Sequence, residues 1–199
     1  MVTFDYNEAF SRNLGLVTRE EQAILASKKV AIAGMGGVGG IHLQTLARMG
    51  LQKFHIADMD QFELANFNRQ AGALVSTIGQ DKTDVMARSA KDINPDCAVT
   101  AFPEGVAAEN LDAFLDGVDV YVDGLDFFVL DVRAMVFEAC RRKGIPVVTA
   151  GPVGASVPYL VFDPGGMSFE DYFGFAGKSD LEKSVLFLVG LAPALAQRG

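Results

Sequence analysis

The chain has 199 residues, half of them apolar and 21% charged, with 17 Lys and Arg against 25 Asp and Glu for a formal net charge of −8. That mixture excludes a disordered chain and counts against a surface that wraps nucleic acid, although it leaves room for a local basic cleft. Two cysteines, no leader-like N-terminus and no apolar run of about 18 residues predict a soluble, reducing, cytoplasmic protein with no disulfide scaffold, CxxC zinc pair or membrane span.

Residues 1–28 read as a helical extension, with Glu20, Glu21 and Gln22 opening a helix after Thr18. The segments 29–34 (KVAIAG), 54–58 (FHIAD), 97–102 (CAVTAF), 118–123 (VDVYVD) and 145–151 (IPVVTAG) read as buried strands, rich in β-branched residues and bounded by Gly, Asp or Pro. Helical spacing appears between them. Ile41, Leu43, Leu46, Ala47 and Met49 mark a helix over 41–49, and Val85, Met86, Ala90 and Ile93 mark one over 82–93 that ends at Asn94-Pro95, because a residue before proline avoids helical ψ. A third helix, 131–143, carries Val132, Met135, Val136, Ala139 and Cys140 on one stripe and closes on cations and Gly144. The segment 156–166 reads as one more strand and a turn. The alternation predicts an α/β fold: a doubly wound, mostly parallel Rossmann-like sheet with helices on both faces and its ligand beyond the carboxyl ends of the strands. Residues 29–166 are then the nucleotide-binding domain. Residues 167–199 form a less defined helical and loop tail that looks cut short.

The first strand runs into Gly34-Met35-Gly36-Gly37-Val38-Gly39-Gly40, which fits GxGxxG at Gly34, Gly36 and Gly39. Glycine lets the chain turn tightly and bring its N–H groups against a phosphate, and the following helix adds partial positive charge. Asp58 follows about 20 residues on, where a carboxylate can bind ribose hydroxyls. NAD and ATP both carry a ribose and phosphates, so the loop leaves hydride transfer and nucleotidyl transfer level.

Downstream come Asp58-Met59-Asp60, Asn66-Phe67-Asn68-Arg69-Gln70, Gly79-Gln80-Asp81-Lys82 and Asp123-Gly124-Leu125-Asp126. A dinucleotide has little use for an added arginine, lysine and metal carboxylate. A nucleoside triphosphate losing pyrophosphate does, since charge grows on the departing phosphates as the α–β bond breaks. Arg69 and Lys82 flank the second strand and can each reach a phosphate; Asp126, just past the fourth, is the natural Mg2+ ligand. Singly each is an ordinary surface charge. Their order after a glycine-rich turn is the stronger observation.

These motifs, GxGGxG, DxDxxxxxNxNRQ, GxxK and a strand-terminal DxxD, resemble the ThiF/MoeB/HesA superfamily of ubiquitin-activating-enzyme-like adenylyltransferases over residues 7–162. The resemblance implies a dimer that uses ATP and Mg2+ to adenylate the C-terminal carboxylate of a small ubiquitin-fold or sulfur-carrier protein. It implies Gly36 and Gly39 at the phosphates, Asp58 on the ribose, Asn66, Arg69 and Lys82 around the triphosphate, and Asp126 on Mg2+, with Gly34, Gly37 and Asp60 also in the nucleotide site. Phe10-Ser11-Arg12 is similar to the family's YSRQ, which makes Arg12 a candidate arginine finger reaching the partner subunit's site. The nucleophile is the substrate carboxylate, so positioning and charge neutralisation carry the catalysis and no Ser–His–Asp set is expected. His42 and His55 read as packing residues.

The match has gaps. No cysteine follows Cys140, so the chain either only adenylates or has its acceptor cysteine elsewhere; Cys97 and Cys140 themselves read as core. After Asp126 many members carry Asn, and here Phe127-Phe128 points to a different acyl substrate. FHIADMD, NFNRQ and INPDC are also similar to the tRNA threonylcarbamoyladenosine dehydratase branch, which adenylates a nucleoside carboxylate. Two further readings are a catalytically silent scaffold half of a heterodimer and an NAD-dependent oxidoreductase.

Overall fold

A computed structural model describes residues 3–191 of the chain. Eight helices, α1 (Tyr6–Ala9), α2 (Arg19–Ser27), α3 (Gly37–Arg48), α4 (Lys82–Ile93), α5 (Leu111–Phe114), α6 (Leu130–Lys143), α7 (Phe169–Phe173) and α8 (Asp180–Leu191), accompany six strands among the described residues. The strands are β1 (Lys29–Ala33), β2 (Lys53–Ala57), β3 (Ala98–Phe102), β4 (Val120–Asp123), β5 (Val147–Ala150) and β6 (Tyr159–Phe162). They form one sheet in the order β3-β2-β1-β4-β5-β6. The first five are parallel and β6 runs antiparallel against β5. The order reverses between β1 and β4, and the crevice that a doubly wound sheet opens at its switch point lies there.

Alternation along the strands divides the core between the two faces. Val30, Ile32, Phe54 and Ile56 pack with Leu43, Ala47, Val85 and Met86 of α3 and α4. Ala31, Tyr121 and Val147 pack on the other face with Phe114, Val136 and Phe137 of α5 and α6, and with Phe169, Phe173 and Phe187 of α7 and α8. Phe162, Phe169, Phe173 and Phe187 meet as tilted ring pairs, which seats the last two helices against α6 and the β6 edge.

The five strands and the turn-linked sixth fall where periodicity places them, and the helix after Thr18 forms with a capping box between Thr18 and Glu21. The N-terminal extension is tied to the turn before β2, Gln22 Nε2 donating to the Met49 carbonyl (2.8 Å) and Tyr6 Oη to that of Gly50 (2.8 Å).

Three local expectations are corrected. The first glycine-loop helix begins at Gly37 rather than 41, because the glycines themselves form its first turn; Ile41 is therefore turned outward. β3 is not a fully buried strand: it closes one sheet edge, and Ala98 and Thr100 are exposed. On α6 the buried face is Leu130, Arg133, Val136, Phe137, Ala139 and Cys140, so the stripe is rotated to include an arginine.

Candidate functional site

A cavity of about 880 Å3 opens over the carboxyl ends of β1, β2, β4 and β5, within the size range of small-molecule sites. Its floor is the glycine loop. Gly36 caps α3 and has no side chain to occupy the first-turn N–H groups, which leaves them for an anion. The loop's shape depends on close backbone approach: Gly34 has φ +87°, a Cβ on it would overlap the carbonyl oxygen of Gly124, and a Cβ on Gly39 would overlap that of Gly34. Gly34, Gly36 and Gly37 line the cavity; Gly39 lies beneath, packing helix to loop.

Asp58, one residue past β2, uses its carboxylate to fasten this floor. Oδ2 accepts from the Met35 N–H at 2.6 Å and Oδ1 from the Asp60 N–H at 2.9 Å. Each oxygen keeps a second acceptor site, so a hydroxyl in the cavity can still bind there. Lys82 is the first residue of α4 and only 5% exposed. Its Nζ lies 2.9 Å from Asp60 Oδ2 and 4.0 Å from Asp58 Oδ1. A buried ammonium beside two carboxylates has three donors, enough to hold Asp60 and still meet a phosphate.

Arg69 also lines the cavity. It stands in solvent with Nη1 on the Ala65 carbonyl (3.1 Å) and Asn68 Oδ1 (3.0 Å), both replaceable contacts. Asn66 does not line the cavity; its Oδ1 accepts from the Glu63 N–H at 2.9 Å and shapes the short 3-10 turn Leu64–Asn66 that presents Arg69. Arg12 is exposed in the turn Ser11–Asn13 and is no part of this chain's cavity wall.

Across the crevice Asp126 lines the cavity and is exposed, with Oδ1 accepting from the Phe127 N–H at 2.7 Å. Phe127 forms part of the wall and tilts against Phe187 of α8 at 5.2 Å, whereas Phe128 points into solvent. The position after Asp126 thus contributes an apolar surface.

Four residues escaped the sequence reading. Asp123, seen only as a strand end, is 2% exposed and paired with Arg133 (Nε to Oδ2, 2.7 Å), while Thr149 Oγ1 donates to the same oxygen at 2.7 Å. An arginine spaced with Val136, Phe137 and Cys140 on an apolar helical face was the available sign. Gln70 is 7% exposed, lines the cavity beside Gly36, and its Oε1 has no hydrogen-bond partner. A buried amide oxygen without a partner is costly unless something else satisfies it.

Both cysteines and His55 are buried, and His42 is half-buried on α3. Burial raises the Cys97 thiol to about 11, helped by Asp96, and the Cys140 thiol to about 12. Neither supplies a reactive thiolate. Burial lowers the pKa values of His42 and His55, and His55 Nδ1 pairs with the Phe114 carbonyl at 2.8 Å. Among the described residues no helix is long and apolar enough to cross a membrane.

Comparison with known proteins identifies the family and the fold. Residues 10–195 match the ThiF family. The tRNA threonylcarbamoyladenosine dehydratase of Bacillus subtilis is 35% identical over 142 residues, covering 71% of this chain and 55% of the relative. The SAMP-activating enzyme E1 of Haloferax volcanii is 32% identical over 143 residues, 71% of this chain and 52% of the relative. The chain thus spans about half the length of these curated relatives. In fold it superposes on the Escherichia coli tRNA N6-threonylcarbamoyladenosine dehydratase solved with ATP, with a TM-score of 0.72 at 23% identity, covering 100% of this chain and 98% of that one.

Proposed function

Because this chain belongs to the ThiF family, we propose that it is an adenylyltransferase that uses ATP and Mg2+ to convert a carboxylate into an acyl-adenylate, releasing pyrophosphate. The observation that carries this reading is the convergence of the glycine loop, buried Lys82, Arg69 and Asp126 on one cavity. ATP-bound structures of the Escherichia coli dehydratase and of Escherichia coli MccB agree with it.

The N–H groups at the start of α3 cradle phosphate, and Asp58 faces the ribose with Asp60 beside it. Lys82 and Arg69 stabilise the charge that builds on the departing diphosphate, where preorganised donors act most strongly. The donor set suits Mg2+. That ion takes one or two carboxylates and completes its shell from phosphate and water, and Asp126 carries no ion pair among the described residues, whereas Asp58 and Asp60 face Lys82 and Asp123 pairs with Arg133. Bound there, the ion would neutralise phosphate charge. Asn66 supports this set through the turn that carries Arg69. Residues 29–166 hold the nucleotide, residues 3–28 are a helical extension, and Phe187, Leu188 and Leu191 of α8 add a wall, while residues 192–199 of the tail lie outside the described residues.

Two carboxylates suit the site. A carboxylate on a tRNA threonylcarbamoyladenosine is favoured by the name of the Bacillus relative. The C-terminus of a ubiquitin-like or sulfur-carrier protein is favoured by the name of the Haloferax relative and by the chain's acidity, which suits tRNA poorly. In this reading the protein works in the cytoplasm as a homodimer, with Arg12 reaching the partner's site. Pyrophosphate exchange into ATP, stimulated by one substrate class and abolished by Arg69→Ala, is the supporting result. ATP binding with no exchange for any carboxylate, and an indifferent Arg69→Ala, would make the chain a scaffold; tight NADH binding with indifference to ATP and Mg2+ would make it an oxidoreductase.

A further inference from the structure

Arg133 is a charge buried to 2% exposure in the middle of an otherwise apolar helix face, a placement that is costly unless the charge is paired and its donors are occupied. Its surroundings meet both conditions. Nε donates to Asp123 Oδ2 at 2.7 Å; Nη2 donates to the carbonyls of Leu125 (2.8 Å) and Asp126 (3.1 Å); Nη1 lies 3.4 Å from the carbonyl of Phe127. The guanidinium sits over the Phe187 ring of α8, 4.8 Å from its centroid. Three consecutive carbonyls therefore curl around one cation, and they belong to the three residues centred on Asp126.

We infer that Arg133 is the positioning residue for Asp126: it draws the backbone of 125–127 inward and so holds the Asp126 carboxylate at the cavity. Asp123 fixes the guanidinium from below through Oδ2, shared with Thr149, while its Oδ1 accepts from the Leu125 N–H at 3.2 Å. The cluster thereby reaches β4, β5, α6 and α8. Only a planar fork supplies this arrangement. Lysine would keep the charge beside Asp123, but a point-charge ammonium cannot present donors to a carboxylate and three carbonyls in one plane. The inference rests on the proposed function only in taking Asp126 as the ligand for Mg2+.

The test uses the full chain and two readouts that do not depend on turnover. In Arg133→Lys the Mg2+ concentration that half-maximally tightens ATP binding should rise about tenfold or more, the scale seen when partners that orient metal ligands are removed. ATP binding without the metal should stay as in the parent. Hydrogen exchange should quicken at the amides of 125–128 and remain slow in β1 and β4. In an Asp126→Asn background, where the oriented carboxylate is gone, the same substitution should add nothing to the Mg2+ requirement. A folded Arg133→Lys with an unchanged Mg2+ requirement, or an equal effect in both backgrounds, overturns the inference and leaves Arg133 a core residue. If Arg133→Lys fails to fold, Thr149→Val loosens the same carboxylate more gently: a raised Mg2+ requirement supports the inference and an unchanged one overturns it. A parent chain that binds ATP yet exchanges no pyrophosphate sinks the proposed function but not this claim, which the metal titration and hydrogen exchange still decide.

Discussion

Lys82→Met separates chemistry from scaffolding at one position. Methionine keeps the apolar stem that sits 5% exposed at the start of α4 and removes the ammonium alone. The stability cost follows from what the two carboxylates retain. A charge left buried and unpaired typically costs about 3–5 kcal/mol. Asp60, however, is 65% exposed at its side chain and returns to water, while Asp58 keeps the N–H groups of Met35 and Asp60. The loss should therefore be about 1.5–3 kcal/mol, the worth of hydrogen bonds to a charged group. The effect on catalysis should be larger: removing one preorganised donor from a developing oxyanion costs about 100- to 1,000-fold in rate. Urea unfolding gives the first quantity, and pyrophosphate exchange at saturating ATP, well below the unfolding midpoint, gives the second. Exchange within about tenfold of the parent, alongside the expected stability loss, would refute Lys82 as a phosphate ligand and leave it a partner of Asp58 and Asp60 alone.

Gly39→Ala should cost about 3 kcal/mol or more and abolish ATP binding, because the new methyl meets a backbone carbonyl that cannot rotate away; thermal melting and nucleotide titration check it, and near-parental values for both would refute it. With its thiols held up to about 11 and 12 against an ordinary 9.0, the folded chain keeps protons that the unfolded chain loses. Stability should then fall as pH rises above 9, by up to about 1.4 kcal/mol per pH unit for each thiol. Urea midpoints at pH 8 and 10 should fall less in the Cys97→Ala/Cys140→Ala chain, and equal slopes would refute the assignment. If Arg12 acts across a dimer, inactive Arg12→Ala and Arg69→Ala chains should regain exchange when mixed and refolded together; no recovery from a mixture shown to form mixed dimers would place Arg12 outside the site.

Much of the fold was legible because its strands are short β-branched runs between turn residues and its helices carry apolar stripes. The glycine loop and Asp58 were legible for the same reason: their roles depend on backbone and spacing, which a sequence displays. What stayed hidden depends on distance in space. The span from Asp123 to Arg133 and Thr149 crosses a loop, a helix and a strand, and no local pattern shows that these three share one oxygen-rich pocket. Lys82 was legible as a phosphate-facing cation but its burial was not, because a helix's first turn is usually surface; it is buried since the β2 loop folds over it, with the Lys82 N–H donating to the Asp60 carbonyl at 3.0 Å. The exposed face of β3 follows from its place at the sheet edge, which depends on strand order rather than on composition.

The glycines at 34, 39 and 124 have a mechanical consequence. Where main chains nest with no side chain between them, the gap is set by atomic radii and cannot be widened by repacking neighbours. The loop after β1 and the loop after β4 are therefore keyed together like cogs, so the anion-facing amides and the carboxylate two residues beyond Gly124 keep a constant spacing. Drift in the surrounding core can retune the walls of the crevice while that spacing stays put.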